Sequence, residues 1–193
     1  MKRIEEYINE SEGYNLRPTS NRELKEIINQ RIKEQGPKCD LNDIDVSEIE
    51  DMSFVFCGSV FNGDISKWDV SNVWNMDSMF AKSKFDGDIS KWDVSGVRNM
   101  YNMFARSKFN GDISKWDVSS VRDMSRMFEE SKFNGDLSDW NVRSVVWMSH
   151  MFDESNFSGD ISKWYPESVR YMDYVFRKSP LDGREPKWYL PLR

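Results

Sequence analysis

The apolar residues of this chain recur every 24 positions. Phe61, Phe85, Phe109, Phe133 and Phe157 share one column, which Leu181 closes. Gly63, Gly87, Gly111, Gly135, Gly159 and Gly183 follow two places on, and then come Ile65, Ile89, Ile113, Leu137 and Ile161. Trp68, Trp92, Trp116, Trp140, Trp164 and Trp188 form the next column, followed by Val70, Val94, Val118 and Val142. Met76, Met100, Met124, Met148 and Met172 share another, with Met52 ahead of them, and Phe80, Phe104, Phe128, Phe152 and Phe176 end the unit, with Phe56 ahead. The first copy, "CDLNDIDVSEIEDMSFVF", is degenerate, with Leu41 in the Ile column and Ile44 in the Trp column. The array therefore runs over residues 37–180 as six units, with a partial repeat and cap over 181–193. A fixed period of this size marks stacked layers: one unit cannot bury its own apolar side, so like residues meet in ladders. Ten of the eleven Met fall in two columns, the one above and Met79, Met103, Met127 and Met151. Regular thioethers of this kind predict core filling.

Within a unit, "ISKWDV" predicts a short strand, with Trp and Val two apart. "VWNMDSMF" places Val73, Met76, Met79 and Phe80 at offsets that suit a short helix or 3₁₀ turn. "FNGD" supplies Asn-Gly turn chemistry. Strand, helical turn and tight turn make a leucine-rich-repeat-like coil. Strands stacked about 4.8 Å apart would give six units a length of roughly 25–30 Å. Residues 1–36 differ. "TSNRELKEIINQRIKEQGP" offers a polar N-cap at Thr19 to Asn21, one apolar face of Leu24, Ile27, Ile28 and Ile32, and a stop at Gly36-Pro37. An earlier helix over residues 2–10 would group Ile4, Tyr7 and Ile8. The pair reads as a cap for the first coil, with a separate docking or effector helix pair as the alternative. "REPKWYLPLR" breaks the pattern as a C-terminal cap should.

The repeated "DISKWDVSNVWNMDSMF" resembles the BspA-like leucine-rich repeats, the DUF285 repeats, over about residues 40–180. The resemblance implies an α/β fold, a right-handed leucine-rich-repeat-like solenoid of 24-residue units behind a helical N-terminal cap. For function it implies binding, since the characterised proteins of that kind are mostly surface adhesins.

Composition narrows the partners. Net charge is −6 and the pI is near 5.0, which excludes general nucleic-acid or anionic-membrane binding. The start carries charges throughout and lacks an apolar h-region, so no Sec signal peptide is expected. No window approaches the apolar length of a transmembrane helix. The expectation is a cytoplasmic protein, with non-Sec export as the route to a surface or host-exposed role. Cys39 and Cys57 read as reduced and structural. His150 stands alone in a variable column with no repeated partner, so it reads as a surface histidine, and no triad, Walker loop or zinc motif is present. Ser71, Ser95 and Ser119 recur without a base and read as turn residues. The column Asp64, Asp88, Asp112, Asp136 and Asp160 could be weighed for Ca²⁺, but an Asp beside a turn bonds local amides, and Lys67, Lys91, Lys115 and Lys163 can offset the charge. No cofactor, metal or catalytic residue is therefore assigned.

Function must lie in what varies. The column Trp74, Arg98, Arg122, Val146, Arg170 runs beside Asn75, Asn99, Asp123, Trp147, Tyr171. Nearby run Asp77, Tyr101, Ser125, Ser149, Asp173 and Ser78, Asn102, Arg126, His150, Tyr174. Trp, Tyr and Arg dominate interface hot spots. The expected partner-binding residues are Trp74, Arg98, Tyr101, Arg122, Arg126, Trp147, Arg170, Tyr171 and Tyr174. An acidic cluster, Glu129, Glu130, Asp153 and Glu154, replaces the Ala81-Lys82 and Ala105-Arg106 of earlier units. The reading is a non-catalytic protein–protein interaction module. A phage or mobile-element counter-defence protein that blocks a host factor, and a fragment of a surface adhesin, are the alternatives.

Overall fold

The computed structural model describes residues 16–189. The helix expected over residues 2–10 lies outside them. Among the described residues one α-helix, α1, spans Asn21–Gln35. Ser20 caps its start by accepting from the Glu23 amide, and Glu23 returns a carboxylate to the Thr19 amide at 2.9 Å. Gly36, at φ 87°, ends it. Leu24, Ile27 and Ile28 are buried and Ile32 partly so, which places the predicted face against the first coil. Asn21 adds a polar seal: its side-chain amide donates to the Asp51 and Ser53 carbonyls at 3.0 and 2.9 Å.

After α1 the chain winds as successive 24-residue coils. Parallel bridges join Asp51 to Asn75, Asn75 to Asn99, Asn99 to Asp123, Asp123 to Trp147 and Trp147 to Tyr171. The register is thus one full repeat per coil. From each bridge a longer ladder continues. In the second coil the amides of Met76, Ser78, Phe80 and Lys82 donate to the carbonyls of Asn99, Tyr101, Met103 and Ala105 at 2.8–2.9 Å. The same alternate pattern repeats from Met52 through Glu154, always to a carbonyl 23 residues ahead.

This ladder corrects two expectations. The parallel pairing does not fall in "ISKWDV", which forms a turn closed by the bond from the Trp68 amide to the Ile65 carbonyl, 3.2 Å. It falls in the stretch that the apolar spacing assigned to a helical turn. That stretch is instead a run of overlapping turns, with Met79 bonded to Met76, Ala81 to Ser78 and Ser83 to Phe80. Left-handed residues punctuate it. Ser78, Asn102, Arg126, His150 and Tyr174 have φ of 54–61°, as do Lys82, Arg106, Glu130, Glu154 and Lys178 at 51–57°. A right-handed helix cannot hold such residues, because it needs a negative φ near −60° at each; the turns leave alternate amides facing outward to tie coil to coil. Each left-handed non-glycine residue costs about 1 kcal/mol. Wherever another coil follows, its own inter-coil hydrogen bond offsets that cost.

The core is a set of ladders. Phe56, Phe80, Phe104, Phe128, Phe152 and Phe176 stack with ring centroids 5.4–5.9 Å apart and nearly parallel planes. The Phe61 column stacks beside it, and Phe80 meets Phe85 at 4.6 Å. The Trp column is buried from Trp68 to Trp164, yet its indole N–H groups are satisfied: Trp92 donates to Ile65 at 3.2 Å and Trp116 to Ile89 at 3.1 Å, one coil back. The Met columns fill the space between.

The glycine of "NGD" has a different reason from the expected turn. Its φ is not left-handed from Gly63 to Gly159; a Cβ at Gly87 would lie 2.8 Å from the Phe85 ring and 3.1 Å from the Gly63 carbonyl. The preceding Asn reaches along the stack instead: Asn62, Asp86, Asn110 and Asn134 each accept from the backbone amide 24 residues on, at 2.7–2.8 Å. Cys39 is buried and Cys57 exposed, and they are not joined. Among the described residues no helix is long and apolar enough to cross a membrane.

Candidate functional site

The bridge column is the natural starting point. Asp51, Asn75 and Asn99 make a side-chain ladder: Asn75 donates to Asp51 at 3.1 Å and Asn99 to Asn75 at 3.0 Å. Each also accepts the backbone amide two residues on, at 2.7–3.1 Å. Asp123 keeps that local bond to Ser125 but has no amide to pass the ladder on. Burial pushes its carboxyl up, and the local bonds to Ser125 do not restore it. The next two rungs change chemistry altogether. Trp147 and Tyr171 occupy the column and stack at 6.1 Å with planes 3° apart, both exposed.

The neighbouring column carries the guanidiniums. Arg98, Arg122 and Arg170 are exposed, as is Trp74. Tyr101 and Arg126 are half-buried, and Tyr174 is exposed beside His150 at 5.2 Å. Seven of the nine residues singled out in the sequence are thus exposed, and all nine fall at four neighbouring positions of the repeat in successive coils.

A second strip was not legible in the chain. The turn that joins position 78 to position 81 recurs in every coil and pairs their side chains. It carries Ser78 with Ala81 and Asn102 with Ala105 in the early coils. Later it carries Arg126 with Glu129 at 2.6 Å and His150 with Asp153 at 2.8 Å. Arg177 then reaches back one coil and grips Asp153 with two bonds, 2.8 and 2.6 Å. His150 is thus no lone surface histidine: the turn holds it on a fully buried carboxylate. Burial would raise the Asp153 carboxyl, but Arg177 and His150 together hold it below its ordinary value. Glu129, His150 and Asp153 present ligand atoms within 4.8 Å of one another. Both carboxylates already receive guanidiniums, so the arrangement is a neutralised ion network.

The repeated Asp column does what a turn residue does. Asp64, Asp88, Asp112, Asp136 and Asp160 each accept from a Ser amide two residues on at 2.9 Å. Those bonds, with the Ser side chains, hold the five carboxyls below their ordinary values.

The family described as "Mycoplasma protein of unknown function, DUF285" matches over residues 23–130 and again over 84–187. The two matches overlap and together span the helix and nearly the whole stack. The chain belongs to this family. Two overlapping matches of one family model fit a chain built of repeats. No curated protein and no solved structure matches it.

Proposed function

We propose that this DUF285 chain is a non-catalytic protein-binding module, built as a right-handed, leucine-rich-repeat-like solenoid of the BspA-like kind. The parallel bridge in each coil and the 24-residue register support that architecture. The side formed by Trp74, Arg98, Arg122, Trp147, Arg170 and Tyr171 is its reading surface.

One observation carries the proposal. The bridge column already has a residue type that suits the fold, the Asn of the amide ladder. Two exposed aromatic rings stand there instead, at a cost in exposed apolar area that the stack does not require. Stacked Trp and Tyr on a rigid support are the usual anchors of an interface. The test follows from the ladder itself. Trp147→Asn with Tyr171→Asn restores the residue used at Asn75 and Asn99, so the variant should melt like the parent. Trp74→Ala with Arg98→Ala should do likewise. Proteins captured by the parent from a cell lysate should be lost by both variants, each truncated hot spot costing about 2 kcal/mol or more in binding. A partner retained at unchanged affinity by both variants would refute the surface.

A further inference from the structure

The inter-coil ladder has two ends, and they are finished differently. At the N-terminal end the outward carbonyls of Asp51 and Ser53 are filled by Asn21, and α1 covers the apolar face. At the C-terminal end the outward amides belong to Met172, Tyr174, Phe176 and Lys178. Their counterparts one coil earlier, Met148, His150, Phe152 and Glu154, all donate to the following coil at 2.8–2.9 Å. In the last coil only Lys178 finds an acceptor, the Asp182 carboxylate at 2.8 Å. The amides of Met172, Tyr174 and Phe176 have none among the described residues, although Phe176 is buried. A buried amide without an acceptor is rare in a native fold. A cavity of about 440 Å³ lies at this row, and its lining includes Met172, Tyr174, Phe176, Asp173, Asp182 and Tyr189.

We infer that this open edge is a second binding site, separate from the lateral face, which takes a basic segment of another protein as a seventh rung. The row offers donors at alternate residues, the requirement for addition of a segment to a sheet edge. The walls set the charge of the guest. Asp173 and Asp182 line the cavity, and its one guanidinium, Arg177, is already committed to Asp153. A second copy is a poor fit, because its own carbonyl row is sealed by Asn21 and α1.

The repeat supplies the probe. A synthetic peptide copying residues 97–108, VRNMYNMFARSK, is basic, and its carbonyls at positions 99, 101 and 103 take the equivalent amides of Met76, Ser78 and Phe80 within the stack. A peptide copying residues 145–156, VVWMSHMFDESN, has the same register but is acidic. Residue-resolved amide exchange on the full chain reads the site. In the free protein Met172, Tyr174 and Phe176 should exchange about tenfold or more faster than Met148, His150 and Phe152. The basic peptide should slow them saturably, and the acidic one should not. No protection by the basic peptide overturns the inference, and equal protection by both overturns the choice of a basic guest. If the three amides are already slow and deletion of residues 190–193 releases them, the chain's own tail fills the edge and the inference fails. Protection that rises with protein concentration together with a dimer in sedimentation would assign the edge to a second copy, and would equally overturn it.

Discussion

Removing one rung of the tryptophan ladder tests the energetics at their centre. Trp116 lies mid-stack and is almost fully buried, tilted against Phe104 at 6.2 Å. Trp116→Ala deletes the ring and leaves a cavity between neighbouring coils, which costs about 3–5 kcal/mol. Trp116→Phe separates packing from hydrogen bonding. The Ile89 carbonyl loses the indole donor at 3.1 Å but keeps the Trp92 amide at 3.2 Å. It is therefore not orphaned, and the loss is the net value of one hydrogen bond, about 1 kcal/mol, plus a small packing term. Trp188 makes the same bond, to Ile161 at 2.8 Å, but is only half-buried at the end of the stack. Trp188→Phe should cost less than Trp116→Phe. Urea unfolding followed by far-UV circular dichroism ranks the three. Trp116→Ala with a midpoint like the parent's, or a penalty at Trp188 equal to that at Trp116, would refute the ladder.

The glycine column should behave as a steric limit. Gly111→Ala brings a Cβ within 2.9–3.0 Å of the clamped Phe109 ring and should lose about 1–3 kcal/mol, while Gly63→Ala, whose Cβ would fall 1.9 Å from the Cys39 carbonyl, should lose more; equal, negligible losses in thermal melts would contradict the packing. Asp123→Asn should stabilise at neutral pH by about 1 kcal/mol, because the new amide can donate to Asn99 as Asn99 does to Asn75. The folded carboxyl is raised, so its contribution is favourable at acid pH and lost as pH rises through the folded value; the gain should shrink toward acid pH, and a gain constant with pH would contradict the assignment. Lys82→Gly should be neutral or stabilising by up to about 1 kcal/mol, the reverse of the usual glycine penalty, because Lys82 sits at φ 57° where the first coil has Gly58; a clear loss in melting temperature would argue against the left-handed turn.

The columns of Phe, Trp, Met and Val were legible because each is buried in the coils of the stack's interior, so the pattern is written by packing. The helix over Asn21–Gln35 was legible for the same reason, and its cap and stop are local chemistry. The backbone path within a coil was not. Val73, Met76, Met79 and Phe80 fit a helical spacing, yet a left-handed residue at Ser78 redirects the chain and brings the same four side chains inward. Nothing in a variable column of Ser, Asn, Arg, His and Tyr announces a positive φ. The lateral aromatic and arginine columns could be read off, since spacing fixes which residues align. The His150–Asp153–Arg177 network could not, because its i,i+3 pairing depends on that unseen turn and its third member arrives from the next coil. The signal available was the change at position 81 from Ala to Glu, Asp and Arg in successive units.

The central claim is that alternate backbone amides bond to the coil ahead. Through-hydrogen-bond scalar couplings between amide nitrogen and carbonyl carbon test it without an intermediary. The account predicts couplings from Met76 to Asn99, Met100 to Asp123 and Met124 to Trp147, bonds of 2.9 Å in each case. Couplings from those amides to carbonyls four residues earlier in the chain, as an α-helix would give, would contradict it.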